Sequence, residues 1–402
     1  RALDVMFDNG LNKMTIGSDA LAYYKGITPN FKNLYPVFDK KLDDVLRRSY
    51  KGGFTYLNPV YKEKQVENGV VYDVNSMYPK LAGAGGEMLP YGQPVRFEGK
   101  YEPIGGYPLY IQIISCIFEL KDGKVPSIQL KNNMSFMQTE YLESSKGEIV
   151  TLTLTSPDYE LFVENYNLSE VTYHGGWAFK GKVGLFKDYV DFWMEQKIKN
   201  KKEGRKALTM VAKLMLNSLY GKTGLSTNST TKRPTLTDEG IVKYELNPPT
   251  ERKPIYVPCA AFVTAYARKN IIQTSEKIRE WSLNKYGEDF YLYTDTDSLH
   301  VRVKNEEEDT KELEKIIDVD DYRLGAYKLE FRFRRGAYIR AKTYIEEDYD
   351  GSLNVTIAGF PKNLAPLVNF ENFKVGFTTE GMTLDDMIKA AKENGATDKQ
   401  IE

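Results

Sequence analysis

YLYTDTDSLHVRV, residues 291–303, decides the fold. Aromatic and aliphatic residues run up to Asp295 and resume after Asp297, so two strands flank a tight turn and the stretch reads as a β-hairpin. Aspartate is depleted in strands, and bunched carboxylates repel unless something positive neutralises them. An Asp-rich turn, in which each side chain bonds its own backbone, is one account. A divalent cation is the other, because Mg2+ takes carboxylate oxygens together with substrate phosphates. Outward from this hairpin, Asp73 in GVVYDVNSMYP (69–79) repeats the setting: an apolar strand candidate ending ahead of a turn at Pro79. If the two strands lie side by side, Asp73, Asp295 and Asp297 converge on a site able to hold two metals about 3.5–4 Å apart.

The helix candidate over 202–220 supplies the complement. At 100° per residue Leu208, Val211, Ala212, Met215 and Leu219 form one apolar stripe. Lys202, Lys206, Thr209, Lys213, Asn217 and Tyr220 form a face that is basic, then polar, then aromatic. Solvated lysines account for Lys202 and Lys206. Leu214 and Leu216 flank Lys213 and predict burial on both sides of it, so that lysine calls for an anion such as a triphosphate.

Charge distribution points the same way more than net charge does. The formal net charge is only −1. Yet residues 180–222 hold eleven Lys/Arg against four Asp/Glu, and YKLEFRFRRGAYIRAKTY (327–344) is a second basic stretch. Basic stripes on a near-neutral chain can track phosphates. Residues 305–321 carry nine acids and two lysines, a run with no evident role.

Other features bound the answer. With 402 residues, 41% hydrophobic and 13% aromatic, the chain is long and apolar enough for more than one globular domain. Cys116 and Cys259 lie too far apart for a zinc spacing, and a reducing compartment suits them. His174 and His300 are the only histidines, so the reading does not rest on histidine acid–base chemistry. The longest apolar stretch, IYVPCAAFVTAYA, is too short to span a bilayer. No membrane partner is expected.

Along the chain, KLDDVLRRSY (41–50) predicts a short helix stopped by Gly52 and Gly53, and GAGGEMLPYGQP (83–94) reads as punctuation at a domain boundary. Strand candidates follow in YPLYIQIISCIFEL, EIVTLTLT and SEVTYHGG. GLFKDYVDFWMEQKIKNKK opens a helical region, and the next helix is expected to end at Gly221. Residues 223–258 predict a hairpin or exposed arm. YVPCAAFVTAYARKNIIQTSEKIREWSLNKYG predicts a long helix, and MTLDDMIKAAKENGATDKQIE an amphipathic one with an acidic face.

DVNSMYP (73–79), KLMLNSLYG (213–221) and YTDTDS (293–298) resemble, in order, motifs A, B and C of family B DNA polymerases. KTY (342–344) resembles the Lys-x-Tyr motif of that family and YKGG (50–53) its Tyr-x-Gly-Gly motif. LPYGQPVRFEGKY, GLFKDYVDFW and FENFKVGF are similar to stretches of the protein-primed phage branch, the phi twenty-nine type. The resemblance runs from about residue 8 to residue 377.

That resemblance implies an α+β right-hand fold: an antiparallel palm sheet, helical fingers, a small thumb and two terminal-protein-region insertions. Its boundaries would be 1–84 and 256–358 for the palm, the first part with a remnant of the exonuclease linker. Residues 85–184 and 223–255 would be the insertions, 185–222 the fingers and 359–402 the thumb. It implies Asp73, Asp297 and Val74 at the metals, two Mg2+ ions with Mn2+ as an alternative, and Asp295 as the third carboxylate. Lys213, Asn217, Tyr220, Lys206 and Lys201 would meet the nucleotide. Tyr78 would press on the sugar and exclude a 2′-hydroxyl. Tyr50, Gly52 and Gly53 would line the template path, and Lys342 and Tyr344 would position the primer terminus. The implied partners are primer-template DNA, dNTPs and a terminal protein acting as primer, with the chain a monomer or paired with that protein in the host cytoplasm.

The sequence departs from the pattern in four places. It starts near the expected end of a proofreading domain, so no 3′–5′ exonuclease is expected in this chain. Thr209 stands where the family has a lysine, with Lys206 and Lys202 on the same face to replace it; alignment points to Lys201 and the helical wheel to Lys202. Residues 378–402 do not resemble the usual thumb ending, and the acidic run is unassigned. An Asp-x-Asp glycosyltransferase would explain YTDTDS but neither Asp73 nor the lysine face, and an inactive DNA-binding relative would have no use for intact carboxylates.

Overall fold

A computed structural model describes residues 6–8, 10–129, 141–238, 240–379 and 381–395. Its centre is a seven-stranded antiparallel sheet in the order Thr55–Leu57, Tyr291–Asp295, Ser298–Arg302, Lys64–Val74, Tyr327–Arg340, Thr343–Glu347, Leu353–Ile357. Two chain segments more than 200 residues apart therefore build one sheet. The strand ending near Asp73 lies between the 298–302 and 327–340 strands, as the hairpin reading required.

The α+β expectation is met. A second antiparallel sheet runs Met88–Phe97, Tyr166–Val183, Leu109–Leu120, Val150–Thr155. Leu152 and Leu154 alternate inward and close a core with Ile114, Phe118 and Phe162. Residues 88–94 are thus strand rather than boundary; Pro90 and Pro94 are tolerated because the pairing shifts register between Tyr91 and Val95. The helix Ser156–Asn165 was not anticipated, although Thr155 caps it and Pro157 opens it.

The helix Val257–Tyr286, about 45 Å long by its rise per residue, backs both sheets and is sealed by Gly287 in the left-handed conformation. Lys187–Lys202 and Lys206–Thr223 form a helical pair braced by Ile16–Ile27, with Tyr23 stacked on Phe192 at 5.2 Å. The second helix runs past Gly221 to Thr223. Asn228–Ser229 pairs with Thr250–Glu251 and Lys232–Leu236 with Val242–Leu246, two largely exposed antiparallel ladders that fit the expected hairpin or arm.

The acidic run gains a structural account. Glu306–Ile316 is a helix with four acids in its first turn, where the dipole favours them. Asp309 is fully buried, accepts from the Lys304 and Asn305 amides, and pairs with Lys285 at 3.0 Å. The terminal helix is Leu384–Glu393, with a capping box at Thr383 and Asp386; the rest of that expectation, from 396 on, lies outside the described residues.

Candidate active site

The turn that presents Asp297 is strained and held. Thr296 sits at φ 65°, a left-handed conformation that β-branched residues resist. Its amide donates to the Phe54 carbonyl at 2.6 Å, and its side chain fills the space above Gly53. A Cβ at Gly53 would lie 2.6 Å from Thr296 Oγ1, so this position needs glycine for the aspartate turn itself. Gly52 has open space there and offers its carbonyl to Arg268.

Sheet register places the aspartates. Asp73 and Asp295 are both cross-strand partners of Ser298, and the Val74 amide donates to the Asp297 carbonyl at 2.9 Å. Burial and then the Asp297 charge raise Asp73 to about 7, with Lys213 the foremost opposing cation. Burial, and after it the Asp295 charge, raises Asp297 to about 6. The site therefore disfavours negative charge on both carboxylates until a cation neutralises it.

Asp295 is different. Lys342 Nζ lies 2.7 and 2.6 Å from its two oxygens, and Thr55 Oγ1 donates at 3.0 Å. Asp73 and Asp297 thus form a desolvated pair, and Asp295, expected as the third carboxylate, is already neutralised by Lys342. Among the described residues no group of three or more His, Cys, Asp or Glu side chains converges as a closed metal cage. Two carboxylates and the Val74 carbonyl suit Mg2+, which binds through one or two carboxylates and fills its shell with water and phosphate oxygen.

Opposite lie the lysines. Lys197 Nζ is 3.4 Å from Ser76 Oγ, and its pKa is lowered by burial and then by the charges of Lys213 and Lys201. Lys213 and Lys201 both lie within electrostatic reach of Lys197, and none of the three has an ion-pair partner among the described residues. Like charges gathered without a counterion define an anion site. Lys197 was missed by the sequence reading, though its spacing of four from Lys201 puts both on one helix face. The same contact favours Lys201 over Lys202. Lys206 is exposed at the start of its helix, about 10 Å along the axis from Lys213. Asn217 is exposed, and Lys213 is exposed too. Leu214, 41% exposed, does not wall Lys213 in, so the burial argument for that lysine fails and its electrostatic contact with Asp73 carries it instead.

Tyr78 and Tyr220 stack at 4.3 Å and 26° between these two charged walls. Burial pushes Tyr78 up to about 12 and Tyr220 higher, so both stay neutral phenols. Tyr50 is half-buried beside them; a Cβ at Gly224 would come within 2.6 Å of its ring. Lys342 occupies φ 57° and donates its amide to Tyr293 Oη at 2.9 Å. Tyr344 is half-buried on Tyr293, His300 and Tyr338, so it shapes the floor under Lys342. His300 is 1% exposed and bonded to Glu346 at 2.6 Å, a structural role.

A further unanticipated group is Glu330, exposed in the strand beside Asp73, whose charge raises both Asp73 and Asp297. The basic stretch 327–344 is corrected in the opposite sense. Arg332 pairs with Glu306 at 3.0 Å, Arg334 with Glu347 at 2.7 Å, Arg335 also with Glu347, and Lys342 with Asp295. Most of its charge is spoken for within the protein.

A curled antiparallel sheet that holds two desolvated carboxylates opposite a helix bearing free lysines is the palm-and-fingers arrangement of right-hand nucleotide polymerases. The chain belongs to the DNA polymerases type B, organellar and viral, whose family model matches residues 5–316. It is 40% identical over 400 residues to the DNA polymerase of Bacillus phage Nf, covering 95% of this chain and 66% of that protein. It is 41% identical over 396 residues to that of Bacillus phage phi29, covering 94% and 65%. The phi29 DNA polymerase solved with primer-template DNA and incoming nucleotide substrates matches it with a TM-score of 0.82 at 39% identity, over 93% of this chain and 65% of that one. The chain thus spans about two thirds of the length of these relatives.

Proposed function

We propose that the chain is a DNA-directed DNA polymerase that joins the 3′-hydroxyl of a primer to the α-phosphorus of a deoxynucleotide, with pyrophosphate leaving. The observation that carries this is the group of Lys197, Lys201 and Lys213, without ion-pair partners among the described residues, of which Lys213 opposes the charge of Asp73, itself coupled to Asp297. Lys213 and Lys197 hold the triphosphate, Lys201 extends that wall, and Asn217 and Lys206 lie further along it. Tyr220 carries the nascent base pair. Tyr78 sits against the sugar and excludes a 2′-hydroxyl. Lys342 and Tyr344 steady the primer end, and Tyr50 with Gly52 and Gly53 borders the template.

Two Mg2+ ions, or Mn2+, held by Asp73, Asp297 and the Val74 carbonyl would activate the hydroxyl and neutralise the charge on the phosphates. In this reading the seven-stranded sheet is the palm, the 187–223 helical pair the fingers and residues 359–402 the thumb. The four-stranded unit within 85–184 receives a terminal protein whose hydroxyl serves as first primer. The 223–255 arm encloses DNA and parts the duplex ahead.

Labelled dNTP incorporation on a primed single-stranded template with Mg2+ tests the reading. Activity is expected in the native chain and absent in Asp297→Ala. An inactive native chain that instead hydrolyses a nucleotide sugar in a metal-dependent way would favour the glycosyltransferase reading.

A further inference from the structure

Arg268, on the long helix, is 4% exposed and spends its guanidinium on two separate parts of the molecule. Nε and Nη2 grip the Asp158 carboxylate at 3.1, 2.9 and 2.7 Å, a bidentate pair with the first turn of helix Ser156–Asn165 in the four-stranded unit. Nη1 donates to the carbonyls of Lys51 and Gly52 at 3.0 and 2.7 Å. Those carbonyls belong to the loop that next supplies Gly53 and Phe54, the two residues on which the strained Thr296 rests. A buried charge needs its hydrogen bonds met to be tolerated, and here the bonds that satisfy Arg268 also fix a loop backbone. Just ahead of the loop, Arg47, bonded to the buried Asp43, donates to the Gly224 carbonyl at 2.9 Å where the Lys213 helix ends.

We infer that Arg268, oriented by Asp158, is a positioning residue for the polymerase site: it sets the 50–54 loop and, through Phe54 and Gly53, the turn that carries Asp297. Arginine suits this role because its planar fork serves a carboxylate on one edge and two carbonyls on another, which an ammonium cannot do together. The four-stranded unit is thereby mechanically joined to the metal-binding turn. The inference rests on the polymerase reading for its kinetic consequence, but its structural half stands without it.

The test compares Arg268→Lys, Asp158→Asn and Asp158→Glu with the native chain. Arg268→Lys keeps a charge beside Asp158 but loses the paired carbonyl bonds. The Mg2+ concentration for half-maximal dNTP incorporation is expected to rise about 10-fold, the lower end of the range for altering groups that support metal ligands. Asp158→Asn leaves the carbonyl bonds and is expected to shift it by no more than about threefold, with Asp158→Glu restoring the native value. In parallel, hydrogen exchange at the Thr296 amide should quicken in Arg268→Lys, a readout that needs no activity. Unchanged Mg2+ requirement and unchanged Thr296 exchange in folded Arg268→Lys overturn the inference. A native chain without incorporation counts against the polymerase reading alone, and the exchange measurement then decides this one.

Discussion

Two stretches of this chain look alike in composition and behave as opposites. The helical pair 187–223 and the strand 327–340 are both rich in cations. On the strand, Arg332, Arg334 and Arg335 each meet a carboxylate of the protein. On the helices, Lys197 lies within the field of Lys201 and Lys213, and none of the three forms an ion pair among the described residues. A paired cation is structure; a crowded unpaired one is an invitation to an external anion. The difference lies in what the fold places opposite, which no count of charges contains.

The largest effect should come from breaking the unpaired side. Lys213→Ala is expected to lower kcat/KM for dNTPs by about 10²–10³-fold, the scale of losing one charge-stabilising donor at a phosphoryl site. Steady-state incorporation measures it, and a loss no greater than that of Arg332→Ala would erase the contrast. Lys197→Ala should weigh less, because burial, and after it the charges of Lys213 and Lys201, already disfavours its charge. About a tenfold rise in KM for dNTP with a smaller change in kcat is expected, as for a group that binds ground and transition states alike.

The carboxylates facing those lysines supply a pH test. Asp73 at about 7 and Asp297 at about 6 lie above the ordinary 3.8. The folded state therefore holds protons more tightly than the unfolded one. Their contribution to stability is intact below pH 3.8 and is lost as pH rises through about 6 and 7. Without divalent metal, Tm should fall across that window in the native chain and fall less in Asp73→Asn. Added Mg2+ should raise Tm at pH 8 and barely at pH 5, because the metal competes with the proton. A native Tm profile that Asp73→Asn does not alter would show that these carboxylates are not strained by burial.

How much of this was legible in sequence follows the range of the interactions. The hairpin at 291–303, the long helix and the Lys213 helix are written in local periodicity and were readable. Asp73 beside the hairpin was readable as a condition, since two similar strand ends suggested one sheet. The neutralisation of Asp295 by Lys342 was not, because 47 residues separate them and nothing local marks the pair. Glu330 escaped for the same reason: its proximity to Asp73 and Asp297 is a product of strand order. Lys197 is legible in principle from its spacing to Lys201, but its apolar neighbours Trp193 and Met194 mark the helix as packed rather than as a site. The Ser156–Asn165 helix carries its own cap and proline, but its ten residues run straight from one strand into the next with no loop to separate them.

The smallest expected effect sharpens the comparison most, because it turns the paired side into the unpaired kind. Glu347 is 5% exposed and holds both Arg334 and Arg335. Glu347→Gln keeps the shape of the side chain and removes the charge. Arg335 remains tethered, since its guanidinium lies 4.1 Å from the centre of the Phe370 ring. Arg334, half exposed, is left with no fixed anion and can turn to a phosphate. The slope of log affinity for primer-template DNA against log salt should steepen by about 0.9, the value for one additional phosphate contact, rather than by twice that. An unchanged slope in the folded variant would mean that pairing is not what keeps this strand from DNA, and the distinction between the two basic stretches would then rest on their distance from the site instead of on their partners.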